Sequence, residues 1–248
     1  MATQAVWFDE IDSTNAEARR RAEAGETGPL WLAARRQTAG RGRRGRAWES
    51  DTGNLFATLL TATRRPAGEA AQASFLAALA VAELLDAFAT EGAVTIKWPN
   101  DVMLAGEKAS GILLESGGRA DGGLWLAVGI GVNLAHAPEG TERPATALAR
   151  HLRPDIAYPP PPEIALELLA ERFAAWSERW DRYGFEPVLD AWRRRAPGLY
   201  GPCVARLSGE TLSGVADGVE PDGSLRLRLP DGSVRLISAG DVFFGEAA

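Results

Sequence analysis

Apolar residues recur along the chain with two periods, and these lay out the elements before any chemistry is considered. Val6, Phe8 and Ile11 mark a first strand that runs into the polar turn Asp12-Ser13-Thr14-Asn15. Thr14 and Glu17 have the spacing of a capping box, and Gly25 is placed to end the helix it opens. Residues 30–34 and 55–62 read as strands, and between them 37–51 reads as a mobile loop with Gly40, Gly42 and Gly45 among arginines. Residues 70–89 place Phe75, Leu79, Ala82 and Leu85 near one stripe, which Val81, Leu84 and Phe88 widen, so this stretch is predicted helical. Residues 94–98 make a short strand stopped by Pro99, and 111–115 and 124–130 read as neighbouring strands joined by a hairpin connection over 117–123. The prolines at 159–162 bar a helix before them and can open one after them. Leu168, Leu169, Phe173 and Trp176 then give helical spacing to 164–183, and a shorter helix fits 186–195.

After Pro197-Gly198 the texture changes. Residues 204–207, 214–219, 225–229 and 234–237 are short strand segments, and 241–244 adds a fifth. Ser208-Gly209, Asp222-Gly223 and Asp231-Gly232 separate them with turn chemistry. The chain therefore divides into an α+β domain over 1–197 and a small β-barrel over 198–248.

Composition narrows the function classes. The chain has 248 residues, a formal charge of -6, 46% hydrophobic and 24% charged residues, which is ordinary for a globular protein. A single cysteine, Cys203, excludes an intrachain disulfide and a multi-cysteine zinc site, and two histidines exclude a histidine-rich metal site. Residues 1–12 carry Asp9, Glu10 and Asp12 and no basic-then-apolar leader. Glu83 and Asp86 interrupt the apolar stretch around Phe75, which argues against a membrane span. The expectation is a soluble, cytoplasmic protein whose acidic total gives no global attraction to nucleic acid.

The sharpest local feature is Gly40-Arg41-Gly42-Arg43-Arg44-Gly45-Arg46, four guanidiniums within seven residues. Arginine donates forked hydrogen bonds to phosphate or carboxylate, and glycine lets the backbone approach closely. Such a loop can fold over an anionic ligand. It can equally be a solvated basic loop or a contact to a nucleic-acid backbone. It matches neither a Walker A loop nor a Rossmann fingerprint. Trp48 can stack on a base or anchor the loop by packing. Lys97-Trp98-Pro99-Asn100-Asp101 puts polar groups at a strand end, where they are functional or simply cap a turn. Lys108 precedes a strand that enters the core, and Gly129-Ile130-Gly131-Val132-Asn133 ends another with an approachable backbone.

Taken together, residues 12–15, 37–46, 97–101, 108–113 and 129–133 resemble the biotin–protein ligase family in motif, order and spacing. The resemblance spans nearly the whole chain, with the tail similar to that family's SH3-like domain. It implies an α+β catalytic domain around a mixed sheet, resembling class II aminoacyl-tRNA synthetases. It also implies a two-step reaction: biotin and ATP give biotinyl-5′-adenylate and pyrophosphate, and a lysine of a biotin carboxyl carrier domain then takes the biotin. Mg2+ is expected with the nucleotide.

Carried over by resemblance, Ser13, Thr14 and Asn15 meet biotin's polar ring and Gln37 touches the ligand. Gly40, Arg41, Gly42 and Arg43 belong to a closing loop, with Arg43 on the reacting phosphate or carboxylate. Arg44 and Arg46 support the loop or the nucleotide phosphates, and Trp48 stands near adenine. Lys97 and Asp101 lie beside the reaction centre, and Asp101 either orients the incoming amine or helps to hold magnesium. Lys108 stabilises charge at the carboxylate and adenylate. Gly111, Gly129 and Gly131 keep the wall thin, and Asn133 is on the nucleotide side. Some family members carry an N-terminal DNA-binding domain; here Asp12-Ser13-Thr14-Asn15 stands almost at the start, so a repressor role is not expected. Thr38 and Ser110 are small local departures. An exposed sheet edge can pair with the carrier or with a second copy of the chain, as a homodimer. The rival readings are a lipoate or octanoate ligase on a related fold and a nucleic-acid-binding module using the arginine loop.

Overall fold

The computed structural model describes residues 5–141 and 144–245. Residues 1–4, part of the stretch read for a leader, lie outside the described residues, as do the last three of the tail. The larger part is a seven-stranded sheet, β1 (Ala5–Ile11), β2 (Leu30–Gln37), β3 (Leu55–Thr63), β4 (Val94–Lys97), β5 (Asp101–Leu104), β6 (Glu107–Gly118) and β7 (Leu124–Val132). Their spatial order is β1-β2-β3-β7-β6-β5-β4. The pair β1·β2 is parallel and the remaining pairs are antiparallel, so the sheet is mixed.

Alternation along the strands decides which helix covers which face. Leu30, Leu32, Leu60, Trp125 and Ala127 pack with Ala18 of α1 (Thr14–Glu23). Trp31, Ala33, Leu59, Leu126 and Val128 face the other way, into the main core. That core holds α3 (Ala73–Asp86), preceded by the single turn α2 (Ala67–Ala70), with α4 (Pro162–Tyr183) and α5 (Glu186–Arg194). Eleven residues of α3 are buried, because small alanines let it sit between the sheet and α4. The stretch Ala67–Asp86 is long and apolar enough to cross a membrane, yet most of it is buried inside the protein, as the core helix of this fold requires.

The tail is a five-stranded antiparallel sheet: β8 (Pro202–Arg206), β9 (Thr211–Val219), β10 (Leu225–Arg228), β11 (Val234–Ile237) and β12 (Asp241–Phe244), in the order β11-β10-β9-β8-β12. It is clamped to the larger part at several points. Trp98 Nε1 donates to Gly223 O at 2.9 Å, Gln72 Nε2 donates to Pro221 O at 3.0 Å, and Arg193 Nη2 donates to Val219 O at 2.6 Å.

Three expectations need correction. The capping box does not form: Ser13 occupies the cap position, Thr14 is already the first helical residue, and its hydroxyl is drawn to Gln37 and Thr58. Glu17 instead pairs with Arg20 and Arg21. Gly25 does end the helix, with φ +95° and the Glu26 N–H donating to Arg21 O, a Schellman closure. The long helix begins at Ala73 rather than 70. β5 was not anticipated, since four residues after a Pro-Asn turn carry too little periodicity to register.

Candidate active site

A cavity of about 300 Å³ opens on the sheet face that carries α1, just beyond that helix's N-terminus. Trp125, Ala127, Gly129, Gly131 and Asn133 alternate onto this face of β7 and its continuation. The first two pack under α1, and the glycines then form a floor. Cross-strand neighbours complete it: Thr58 and Leu113 flank Gly129, and Phe56 and Gly111 flank Gly131. The floor must be bare. A Cβ at Gly129 would lie 2.0 Å from Asn15 Oδ1, and one at Gly131 would lie 2.6 Å from the Trp48 indole. Gly129→Ala is expected to cost about 1–3 kcal/mol through this overpacking; a melting temperature lower by several degrees in a thermal unfolding scan checks it.

One end of the floor is lined by neutral hydrogen-bonding groups. The turn that carries them is held by Asp12, which accepts from Ser13 N at 2.7 Å and from both Arg20 Nη groups at 2.8 and 2.9 Å. Those contacts, the Arg20 side chain foremost, pull the Asp12 carboxyl down to about 2. Ser13, Thr14 and Asn15 are thereby presented at the start of α1, all buried. Gln37 Oε1 accepts from Thr14 N at 2.8 Å and from its hydroxyl at 3.2 Å, and Gln37 Nε2 donates to Ser50 Oγ at 2.9 Å. Thr58, fully buried, reaches Thr14 Oγ1 at 2.8 Å and Asn15 Oδ1 at 2.7 Å.

The other end is cationic. Lys108 Nζ lies 2.6 Å from Asp101 Oδ1 and 5.6 Å from the centre of the Trp48 ring. Lys108 is on this face because of a bulge. Val102 pairs with Ser110 while Met103 pairs with Lys108, so Ala109 is the extra residue. That insertion flips Lys108 onto the side of Gly111 and Asp101. Arg43 Nη1 donates to Asn100 Oδ1 at 3.2 Å, and Asn100 Nδ2 donates to Ile112 O. Burial lowers the Arg43 pKa from the usual arginine value, opposed by the Asp101 and Asp241 carboxylates and reinforced by Arg44 and Arg46. A desolvated guanidinium that remains charged at neutral pH favours an anion beside it. Asn133 donates from Nδ2 to Thr146 O at 3.1 Å, and Trp48 Nε1 is buried without a hydrogen-bond partner.

The arginine segment is closed on itself rather than irregular. Arg41 bridges Ala47, Gly42 N donates to Arg46 O, and Trp48 N donates to Gly40 O. Arg44 takes a left-handed conformation, φ 57°. The four guanidiniums diverge: Arg41 toward Glu115 (3.7 Å), Arg43 toward Asn100, and Arg44 and Arg46 onto Asp241 of the tail (2.9 and 2.6 Å).

Thus Ser13, Thr14, Asn15, Gln37, Arg41, Gly42, Arg43, Arg46, Trp48, Asp101, Lys108, Gly111, Gly129, Gly131 and Asn133 line one cavity. Gly40, Arg44 and Lys97 do not line it. Gly40 packs in the loop, where a Cβ would be 2.5 Å from Ser50 Oγ and Trp48 O. Lys97 is paired with Asp101 in register, but its ammonium stands 5.5 Å from the centre of the Phe243 ring.

This geometry is shared with known proteins. Residues 7–133 match the biotin/lipoate A/B protein ligase family, and residues 202–245 match the biotin protein ligase C-terminal domain. The chain belongs to that ligase family. It is similar to a biotin–[acetyl-CoA-carboxylase] ligase of Paracoccus denitrificans, 45% identical over 94% of this chain and 98% of that protein. It is also similar to the bifunctional ligase/repressor BirA of Bacillus spizizenii, 30% identical over 96% of this chain and 74% of that protein. Among solved structures, it superposes on the biotin protein ligase of Aquifex aeolicus in complex with biotin and ATP with a TM-score of 0.79, 25% identity and 98% and 99% of the two chains covered. The biotin protein ligase of Leishmania major in complex with biotinyl-5-AMP gives a TM-score of 0.64 at 26% identity, with 95% and 99% covered.

The ligase cavity also has walls that the sequence did not announce. Gly240, Asp241 and Val242 reach it from the tail, Pro138, Thr141 and Ala145 from the connection after β7, and Phe56 from β3. Phe56 and Thr58 carried a readable signal, because their strand alternates opposite the glycines of β7. Asp241 carried none; only the docking of the tail brings it to the arginines.

Proposed function

We propose that the protein is a biotin–[biotin carboxyl carrier protein] ligase that makes biotinyl-5′-AMP from biotin and ATP and passes the biotin to a lysine of a carboxylase carrier domain. The observation that carries this reading is the polarity of a single floor. Gly129, Gly131 and Asn133 are successive positions of one strand face, about 7 Å apart. Neutral groups stand over the first, the Trp48 indole over the second, Lys108 lies toward the far end, and Arg43 stands to one side on Asn100. A ligand suited to it has an uncharged hydrogen-bonding ring, an apolar middle and a carboxylate that meets a phosphate.

On this reading Ser13, Thr14, Asn15 and Gln37 satisfy the ureido ring, whose unmet polar groups would each cost about 1–3 kcal/mol. Biotin's carboxylate oxygen bonds to the α-phosphorus, and the bond to the bridging oxygen breaks as pyrophosphate leaves. Both reactants are anions, so Lys108 and Arg43 offset the charge that accumulates as they meet. Trp48 flanks the adenine, Asn133 lies on the nucleotide side, and the loop of Arg41 and Gly42 closes over biotin and the adenylate and excludes water. Arg44 and Arg46 hold the loop through Asp241. The carrier lysine, with a pKa of about 10.4 in water, must be deprotonated before its nitrogen attacks the acyl carbon and AMP departs.

Magnesium enters on the nucleotide. Among the described residues no three His, Cys, Asp or Glu side chains gather to form a metal cage. One carboxylate beside a phosphate site suits an ion that keeps its waters and the substrate's phosphates, and Asp101 would supply it. The ion's contribution is to withdraw charge from the phosphates. The same reading takes 1–197 as the catalytic domain and the remainder as its SH3-like partner. It sets the protein to work in the cytoplasm and uses a sheet edge, β1 or β4, for the carrier or a second copy.

The test is a single reaction of chain, ATP, Mg2+, carrier domain and either biotin or octanoate, read by mass spectrometry. Biotin on one carrier lysine is the expected product. Octanoylation without biotinylation would make the chain a lipoate-type ligase instead.

A further inference from the structure

Glu115 is on β6, one alternation beyond Leu113 on the cavity face, and it was not among the residues expected from the sequence. Both of its carboxylate oxygens are engaged. Oε2 accepts from Asn15 Nδ2 at 2.8 Å, and Oε1 lies 3.7 Å from Arg41 Nη2. Asn15 Nδ2 also donates to Leu113 O at 3.2 Å, while the Thr58 hydroxyl reaches Asn15 Oδ1 at 2.7 Å. Two acceptors on one side and a donor on the other leave the Asn15 amide a single orientation. Its oxygen is the atom nearest the space over Gly129, and its nitrogen is spent on β6, on Leu113 O and Glu115.

We propose that Glu115 is a positioning residue for the ring end of this cavity. It fixes Asn15 as a hydrogen-bond acceptor for a ureido N–H, and it ties that amide to Arg41 of the closing loop, so that ring occupancy and the loop's setting are coupled. This rests on the biotin reading above. The loop is also held by Gln37 on Ser50 and by Thr38 N and Ala39 N on Ile11 O and Asp12 O, and Glu115 adds a side-chain tether between the ring end and the arginines.

Glutamine is the informative substitution. Its amide has one acceptor oxygen, so it can serve Asn15 or Arg41 but not both. Glu115 is partly exposed, and the replacement is isosteric, so the fold is kept. In biotin-dependent ATP–pyrophosphate exchange with the full chain, Glu115→Gln is expected to raise KM for biotin about ten-fold while kcat and KM for ATP change by less than about two-fold. Arg41→Met is expected to raise the same KM, and the double variant to raise it by less than the product of the two.

A biotin KM equal to wild type in Glu115→Gln, or a loss confined to kcat, overturns the inference. Should Glu115→Gln melt early, Glu115→Asp, which keeps the anion but shortens its reach, carries the same reading: a raised KM supports the inference and a wild-type KM overturns it. Wild-type exchange with an unaltered variant defeats this inference alone. No biotin-dependent exchange by the wild type defeats the proposed function and this inference with it.

Discussion

Lys108→Ala is expected to slow single-turnover formation of biotinyl-adenylate by about 10²–10³-fold at saturating biotin and ATP, the usual consequence of removing one fixed donor from a site where charge builds up. The ammonium is held 2.6 Å from Asp101 and rests against Gly111, so it is placed before any ligand arrives. A preorganised cation needs no rearrangement at the moment two anions meet. Transfer from pre-formed biotinyl-adenylate to the carrier should suffer less, because by then pyrophosphate has gone and less charge remains to be offset. Rapid quench with labelled ATP separates the two steps. An unchanged adenylation rate would remove Lys108 from the reaction centre and leave it as a partner of Asp101 only.

Arg43→Ala is expected to act on two observables at once. Adenylate formation should fall by about 10²-fold or more, since a forked donor at the phosphate is lost. The intermediate should also leave faster and be hydrolysed in solution, because Arg43 ties the loop to Asn100 on the cavity wall. Burial lowers the pKa of this guanidinium from the usual arginine value, so an incoming anion removes an electrostatic penalty as well as adding hydrogen bonds. Filter-trapping of labelled biotinyl-adenylate gives the release rate, and pyrophosphate exchange gives the forward step. Normal values for both would contradict the assignment. Arg44→Ala provides the contrast: its contact is Asp241 rather than the cavity, so it should loosen the loop and raise KM for ATP while leaving a far larger kcat than Arg43→Ala.

Much of the architecture was legible from period alone. The strands at 30–34, 55–62 and 124–130, the helices over 164–183 and 186–195, and the tail strands at 234–237 and 241–244 all lie within or nearly on the observed elements. Apart from 234–237, which is exposed at three of its four positions, these are stretches where burial on one face or both imposes a strict pattern. The misses were local contests. Thr14 left its cap role because Gln37 and Thr58, distant in sequence, offered its hydroxyl better partners. β5 is too short to show a period.

Within the site, residue type and order along the chain already offered groups that the structure brings to one cavity: an amide-and-hydroxyl turn, an arginine-glycine loop, a lysine before a strand, and glycines alternating with Ile130 and Val132. Alternation alone puts Gly129, Gly131 and Asn133 on one stripe, bare at its two glycines. What the sequence could not contain was the pairing of distant segments. The bulge at Ala109 turns Lys108 into the cavity, and the packing of the tail brings Asp241 to Arg44 and Arg46 and Phe243 to Lys97. The meeting of β6 with the start of α1 gives Asn15 its carboxylate. Period and composition act over a few residues, whereas register, bulges and docking are set by the partner segment, from the adjacent hairpin strand at the Ala109 bulge to residues a hundred or more positions away for Asn15–Glu115 and the arginines on Asp241, and those contacts exist only once the chain has folded.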